Sequence, residues 1–207
     1  MKKLVLATRN SYKIEEIKTL LADLDLEIVS LDDFPAVPPL VEDGATIEEN
    51  SVKKARAVFH HTKLPSLADD SGLEVFYLNG RPGVRSARYT GDDASDEENN
   101  GRLLSEMRGV APRRRRAQFR AVITLVGNGF QESAEGVCPG RLAESPRGTN
   151  GFGYDPIFVP DGFDKTYAEL TAEEKNLISH RARALQKMRE ILKLSSFLQS
   201  SPAAARG

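Results

Sequence analysis

The sequence predicts an α/β protein with a mixed sheet, and three features of its order carry that expectation. It opens strand–loop–helix–strand, places a β-hairpin in the middle and closes on an amphipathic helix. A β-α-β start demands parallel neighbours and a hairpin demands antiparallel ones, so the sheet must hold both. Each element has a local reason. Leu4-Val5-Leu6-Ala7 is a short continuous apolar run, as in a strand covered on both faces. Thr8-Arg9-Asn10-Ser11 then offers cap-forming side chains, and Ile14, Ile17, Leu21 and Leu24 recur at helical spacing through residues 13–24. Leu26-Glu27-Ile28-Val29 reads as the second strand.

Residues 32–45 are Pro- and acid-rich and read as a loop. Thr46-Ile47-Glu48-Glu49 is a capping box opening a helix to about residue 60, with Val52, Ala55 and Phe59 as its buried stripe. Two apolar runs, residues 64–68 and 73–76, flank Asp69-Asp70-Ser71-Gly72, which reads as an acidic glycine turn at a strand end. After a loop at Gly80-Arg81-Pro82-Gly83, a second capping box at Ser95-Asp96-Glu97-Glu98 opens a helix with Leu103, Leu104 and Met107 inside. Residues 117–126 and 130–137 alternate around Gly127-Asn128-Gly129, a hairpin signal, and residues 140–143 suggest a further short strand. A glycine-rich stretch at 146–155 precedes a third box, Thr171-Ala172-Glu173-Glu174, and Ala182, Leu185, Met188 and Leu192 mark the last helix. Residues 1–194 are expected to form a single domain, and the Ser/Ala-rich residues 195–207 a disordered tail.

At 207 residues the chain can bury one sizeable core. Its formal net charge of -1 argues against a general nucleic-acid binder, so an anionic ligand must be met by locally placed cations. The lone Cys138 forms no internal disulfide, fits a reducing compartment and reads as buried. No apolar run approaches the roughly 20 residues of a membrane span. The opening apolar stretch breaks at Thr8-Arg9-Asn10 and reads as a strand, not a signal peptide. A cytoplasmic protein without a membrane or nucleic-acid partner is expected.

Four segments carry candidate chemistry. Thr8-Arg9-Asn10-Ser11-Tyr12-Lys13 lies at a strand–helix junction, where free N–H groups, the helix dipole and the Lys13 charge suit an anion; the plain alternative is an N-cap with a solvated lysine. Glu42, Asp69 and Asp70 come from separate segments and can present paired carboxylates to a magnesium ion and a water, or can be surface and turn acids. Asn150-Gly151-Phe152-Gly153-Tyr154-Asp155 sets an aromatic between glycines, fit to stack on a flat ligand with Asp155 accepting from its N–H groups; a tight turn with a core Phe152 is equally open. Lys175 with Ser179-His180-Arg181 places cations in the first turn of the last helix if Ser179 caps it, or forms a basic helix face. Arg113-Arg114-Arg115-Arg116 reads as a solvated loop with RNA contact as its alternative. His60-His61 lacks the i, i+4 spacing of helical metal ligands.

Together these segments resemble the inosine/xanthosine triphosphate pyrophosphatase (Ham1-like) family over nearly the whole chain, in the family's order. The matching pieces are Thr8-x-Asn10-x-x-Lys13, Glu42-Asp43-Gly44-x-Thr46, Glu49-Asn50-x-x-x-Lys54-Ala55, Ala68-Asp69-Asp70-Ser71-Gly72-Leu73 and Gly83-Val84-x-Ser86-Ala87-Arg88-Tyr89. Phe152-Gly153-Tyr154-Asp155-Pro156 and Glu174-Lys175-Asn176, before Ser179-His180-Arg181, complete the set. Ser51 stands where the family commonly has alanine.

The resemblance implies an elongated mixed sheet flanked by helices, two lobes around a substrate cleft, a homodimer, and hydrolysis of dITP, ITP or XTP to the monophosphate and pyrophosphate with Mg²⁺. Carried over by position, residues Thr8, Arg9, Asn10, Ser11, Tyr12 and Lys13 contact the substrate, with Thr8, Asn10 and Lys13 on the triphosphate and Lys54 nearby. Glu42 and Asp70 hold the metal, Asp70 is the general base and Ser71 touches the substrate. Phe152, with Gly153 and Tyr154 beside it, stacks on the purine, while Asp155, Lys175, His180 and Arg181 read its 6-oxo face. A nucleotidyltransferase, or a non-catalytic nucleotide- or RNA-binding module, is the alternative.

Overall fold

The computed structural model describes residues 2–194; the tail expected at 195–207 lies outside the described residues. The opening apolar run forms β1 (Lys2–Leu6), which pairs in parallel with β2 (Leu26–Val29). Between them α1 (Ser11–Leu20) starts where the Asn10 side chain accepts from Lys13 N, and it ends before the expected Leu24. On its other side β1 pairs in parallel with β3 (Ser66–Val75), which continues antiparallel into β4 (Arg116–Gly127), β5 (Phe130–Leu142) and β6 (Phe158–Pro160). The single six-stranded sheet therefore runs β2-β1-β3-β4-β5-β6, mixed as the sequence predicts. The hairpin closes on Asn128-Gly129, with Gly127 opposite Phe130. Residues 140–142 continue β5 instead of forming a strand of their own.

Among the described residues four further α-helices complete the fold. In α2 (Ile47–Thr62) the Thr46 side chain caps Glu49 N, but the Glu49 carboxylate accepts from Ala45 N, so only half of the expected box forms. Its buried residues are Ile47, Asn50, Ser51, Lys54, Ala55 and Val58; Val52 and Phe59 are half-buried. The boxes at Ser95 and Thr171 form complete, opening α3 (Asp96–Glu106) and α4 (Ala172–Ile178). Extended backbone at Ser179 ends α4, and its hydroxyl accepts from Ala182 N to start α5 (His180–Leu194).

Three apolar clusters result. On one face of the sheet Leu4, Leu6, Leu67 and Ile123 pack against α1 and α5; on the other Val5, Ala7 and Ala68 pack against α2. The third cluster, built from Leu73, Val75, Phe119 and Phe158 with α3, fills the opposite end of the strands. The cleft opens between these ends because β1 pairs with β3 only as far as Leu67. Beyond it the chain leaves for α1 while β3 runs on, with β4 as its strand neighbour and a single bridge from Glu74 to Pro82 on the other edge. No helix among the described residues is long and apolar enough to cross a membrane. Arg115 departs from the solvated-loop expectation: it is buried and donates to the carbonyls of Met107, Leu142 and Ala143. Arg116 forms a two-pronged pair with Asp161, and Arg114 lies over the Tyr77 ring. Cys138 is buried, as expected.

Candidate active site

The acidic tetrapeptide is not a turn. Asp69, Asp70, Ser71 and Gly72 are consecutive residues inside β3, each paired with a residue of β4. Strand alternation therefore sends the two adjacent acids to opposite faces of the sheet. Asp69 and Ser71 face α1 and α5, where Arg181 donates to both, at 3.0 and 3.2 Å. Asp70 faces α2, where Lys54 Nζ lies 2.7 Å from its Oδ1. Gly72 has a packing reason: a Cβ there would stand 2.2 Å from the carbonyl oxygen of Gly83, in the 3-10 turn Gly83–Arg88 that covers the unpaired edge of β3. Ser86 Oγ in that turn accepts from Leu73 N (2.8 Å) and donates to Gly83 O (2.6 Å).

On the α2 face the carboxylates converge. Lys54 Nζ donates to Glu42 Oε1 (2.7 Å), Asp70 Oδ1 (2.7 Å) and the Asp69 carbonyl (2.9 Å). Arg88 holds Glu42 from the other side through its carboxylate and its carbonyl. Asn50 Oδ1 accepts from Gly44 N and braces the same loop. Burial pushes the Asp70 carboxyl upward, and Lys54 and Lys13 offset that only in part. Burial also opposes the Glu42 charge, but Lys54, Lys13 and Arg88 together outweigh it and hold Glu42 below the usual range. Ser51 acquires a reason here: its hydroxyl bridges the Ala68 carbonyl (3.2 Å) and Thr124 Oγ1 (2.9 Å), tying α2 to the sheet beside Lys54.

On the other face a chain of charges crosses the cleft floor. Lys13 Nζ lies 2.7 Å from Asp69 Oδ2, the atom that Arg181 also approaches. Burial opposes the Asp69 charge, yet Arg181 and Lys13 hold its carboxyl far below the usual range. Arg181 also donates to Glu16, and Glu16 Oε1 accepts from Lys175 (3.0 Å), which pairs with Asp155 Oδ2 at 2.7 Å. Glu16 had no motif to mark it; its only sequence signal is its place one helical turn after Lys13. His180 stacks on Phe119 at 4.6 Å between centroids, and burial together with Arg181 holds its imidazole well below its ordinary value, hence neutral.

The remaining expected residues divide. Phe152 lies at the cleft rim, outside the three apolar clusters, stacked on Tyr12 at 5.4 Å with Lys175 Nζ 5.0 Å from its ring centre. Gly151, at φ 77°, is needed for the loop itself, because a Cβ would meet Asp155 Oδ2 at 2.0 Å. Two α3 residues that sequence reasoning missed fasten this loop: Asp96 accepts from Gly153 N and Asn100 donates to Gly153 O. Three expected substrate contacts have partners or positions of their own, although Arg9 and Tyr154 also line the cleft. The Arg9 guanidinium donates to the Leu31 and Val37 carbonyls, Ser11 is an exposed first residue of α1, and the Tyr154 hydroxyl donates to Ser86 O. Thr8, Asn10, Lys13, Glu42, Lys54, Asp70, Ser71, Phe152, Asp155, Lys175, His180 and Arg181 all line one cleft of about 780 Å³, a volume suited to one nucleotide-sized ligand.

The donor set would suit a small hard cation, since Glu42 and Asp70 present carboxylate oxygens that converge on one nitrogen. Among the described residues no cluster of three or more His, Cys, Asp or Glu side chains forms. A cation held here would complete its shell with water and phosphate oxygens, as magnesium does.

Comparison with known proteins agrees with this geometry. The model of the Ham1 family matches residues 4–191. The dITP/XTP pyrophosphatase of Geobacter sulfurreducens is 49% identical over 193 residues, spanning 93% of this chain and 97% of that relative. The dITP/XTP pyrophosphatase of Geobacillus kaustophilus is 48% identical over 191 residues, spanning 92% and 94%. Among solved structures, a HAM1 protein from Coxiella burnetii superposes with a TM-score of 0.86 at 42% identity, covering 94% of this chain and all (100%) of that one.

Proposed function

The chain belongs to the Ham1 family, and we propose that it hydrolyses unusual purine nucleoside triphosphates (dITP, ITP and XTP) to the monophosphate and pyrophosphate. One observation carries this reading. A single cleft joins a charged end, with Glu42, Asp70, Lys54 and Lys13, to an end where an aromatic stands beside Asp155, Lys175, His180 and Arg181. The first suits a triphosphate and the second a purine base.

At the charged end, Thr8, Asn10 and Lys13 grip the phosphates at the start of α1, where the helix dipole favours anions. Glu42 and Asp70 are the proposed ligands of Mg²⁺, which when bound would neutralise phosphate charge and lower the pKa of a water. Asp70 takes the proton of the attacking water, a task helped by a carboxyl raised by burial. At the other end, Phe152 stacks on the base while Lys175, neutral His180 and Arg181 face its 6-oxo edge and Asp155 accepts from ring N–H. Glu16 and Asp69 orient these cations. A 6-amino purine brings donors to donors and leaves buried groups unpaired, which disfavours ATP. The same reading takes residues 1–194 as one catalytic domain, working as a cytoplasmic homodimer.

Incubation with ITP and Mg²⁺ in H₂¹⁸O tests it. Hydrolysis yields pyrophosphate and label in the phosphate products, with ATP turned over far more slowly. Orthophosphate release, or equal turnover of ATP and ITP, overturns it, and transfer to a cosubstrate points to a nucleotidyltransferase.

A further inference from the structure

Lys54 does more than sit near the carboxylates assigned to the metal. Its side chain is only 5% exposed, and its three N–H donors are all engaged: Glu42 Oε1, Asp70 Oδ1 and the Asp69 carbonyl. The carboxylates that a cation needs are thus already in contact with a cation of the chain's own. The wider charge balance points the same way. Glu42 also pairs with Arg88, and Lys13 acts on both Glu42 and Asp70. Two carboxylates therefore face three positive side chains, and counting Asp69 and Glu16 with Arg181, which pairs with both, brings the cluster to balance with no negative charge in excess. Carboxylates already neutralised by cations of the chain offer a second cation little net attraction. A nucleoside triphosphate makes the balance negative, because its phosphates bring several negative charges to the same lysines.

We propose that Lys54 is the built-in counter-ion of this carboxylate pair, keeping Glu42 and Asp70 closed to a divalent cation until a triphosphate admits one. The metal then enters with the nucleotide, and the free protein holds none. This rests on the assignment of Glu42 and Asp70 as metal ligands made above. The closure is maintained by position as well as by charge. Lys54 lies one helical turn beyond Ser51, whose hydroxyl fastens α2 to Ala68 and Thr124, and the Asp69 carbonyl anchors the ammonium at the unpaired edge of β3.

Titration with Mn²⁺, followed by water-proton relaxation enhancement, tests this without any turnover. The probes are Mn²⁺ alone and Mn²⁺ with α,β-methylene-ITP, referenced to the analogue without protein. The unaltered protein is expected to bind Mn²⁺ at least tenfold more tightly with the analogue than without it. Lys54→Gln, which keeps a hydrogen-bond donor but removes the charge, should bind Mn²⁺ without nucleotide at least tenfold more tightly than the unaltered protein. Lys54→Arg, which keeps the charge, should remain as weak as the unaltered protein. Mn²⁺ bound by the free, unaltered protein within threefold of its affinity in the presence of analogue overturns the proposal while leaving the ligand assignment intact. Failure to bind Mn²⁺ even with the analogue overturns the ligand assignment and this proposal with it. Should Lys54→Gln not fold, the two titrations of the unaltered protein decide alone.

Discussion

Gly72→Ala is the sharpest test of how β3 is built. Gly72 has no positive φ to protect, so a turn-based view expects alanine to be accepted or mildly stabilising in a strand. The packing predicts the opposite. The added Cβ would stand 2.2 Å from Gly83 O, 2.9 Å from its carbonyl carbon and 3.0 Å from Ser86 Oγ, where ordinary contact begins at 3.4 Å. Two of these three atoms are backbone, and β3 cannot retreat because β4 pairs it throughout. The covering turn must therefore move by about 1 Å, stretching the 2.8 Å bond from Leu73 N to Ser86 Oγ. Overpacking of roughly 1–3 kcal/mol and one weakened buried hydrogen bond of about 1 kcal/mol give a loss of about 2–4 kcal/mol. For a domain of this size that is a fall in Tm of about 5–15 °C. Urea unfolding read by circular dichroism measures it directly. A Gly72→Ala protein within ~0.5 kcal/mol of the unaltered one would refute the close-packing account.

Other expectations follow from the same contacts. Asp70→Asn should lower ITP turnover by roughly 10²–10⁴ while binding of α,β-methylene-ITP changes only a few-fold; calorimetry showing binding lost in parallel would assign Asp70 to affinity instead. Lys175→Met, by removing a charged donor facing the base, should cut kcat/KM for ITP by roughly 10–100-fold and lower the ITP/ATP ratio; an unchanged ratio would place base selection elsewhere. Asp69→Asn should cost about 3–5 kcal/mol at pH 7, since Arg181 and Lys13 lose their buried counter-charge. Its pH dependence has a definite sign. The folded carboxyl lies far below its unfolded value of about 3.9, so its contribution is complete above that pH and is lost as pH falls towards the folded value. The gap in unfolding free energy between the two proteins should therefore be flat from pH 7 to about 5 and shrink by up to ~1.4 kcal/mol per unit below about 4. A gap that stays constant to pH 3 would count against the pairing.

Much of the molecule was legible without coordinates. The β-α-β start, the Asn128-Gly129 hairpin and the caps at Ser95, Thr171 and Ser179 follow from local chemistry and form where the sequence places them, and of the cap-forming residues 8–11 Asn10 takes the cap. The segments that line the cleft were also recognisable by residue type. What was misread shares one cause: local pattern does not report what packs against it. Asp-Asp-Ser-Gly has turn chemistry, yet ten consecutive pairs with β4 hold it as strand. Arg113 to Arg116 reads as uniformly solvated, yet Arg115 has three carbonyls to bury against. Glu16 belongs to no motif, and only the docking of α5 beside α1 brings Arg181 and Lys175 to it.

The sequence by itself determined a mixed α/β fold and the helix starts, because periodicity and capping act over a few residues, and by resemblance it marked most of the acids, cations and aromatic that line the cleft. The resemblance already singled out Asp70; the tertiary structure alone decided the place of Asp69. A strand turns successive side chains to opposite faces, so two acids adjacent in the chain came to serve different helices. Asp69 is neutralised by Arg181 and Lys13, while Asp70 joins Glu42 on Lys54. That separation depends on strand pairing across the sheet, a long-range contact that no local pattern encodes.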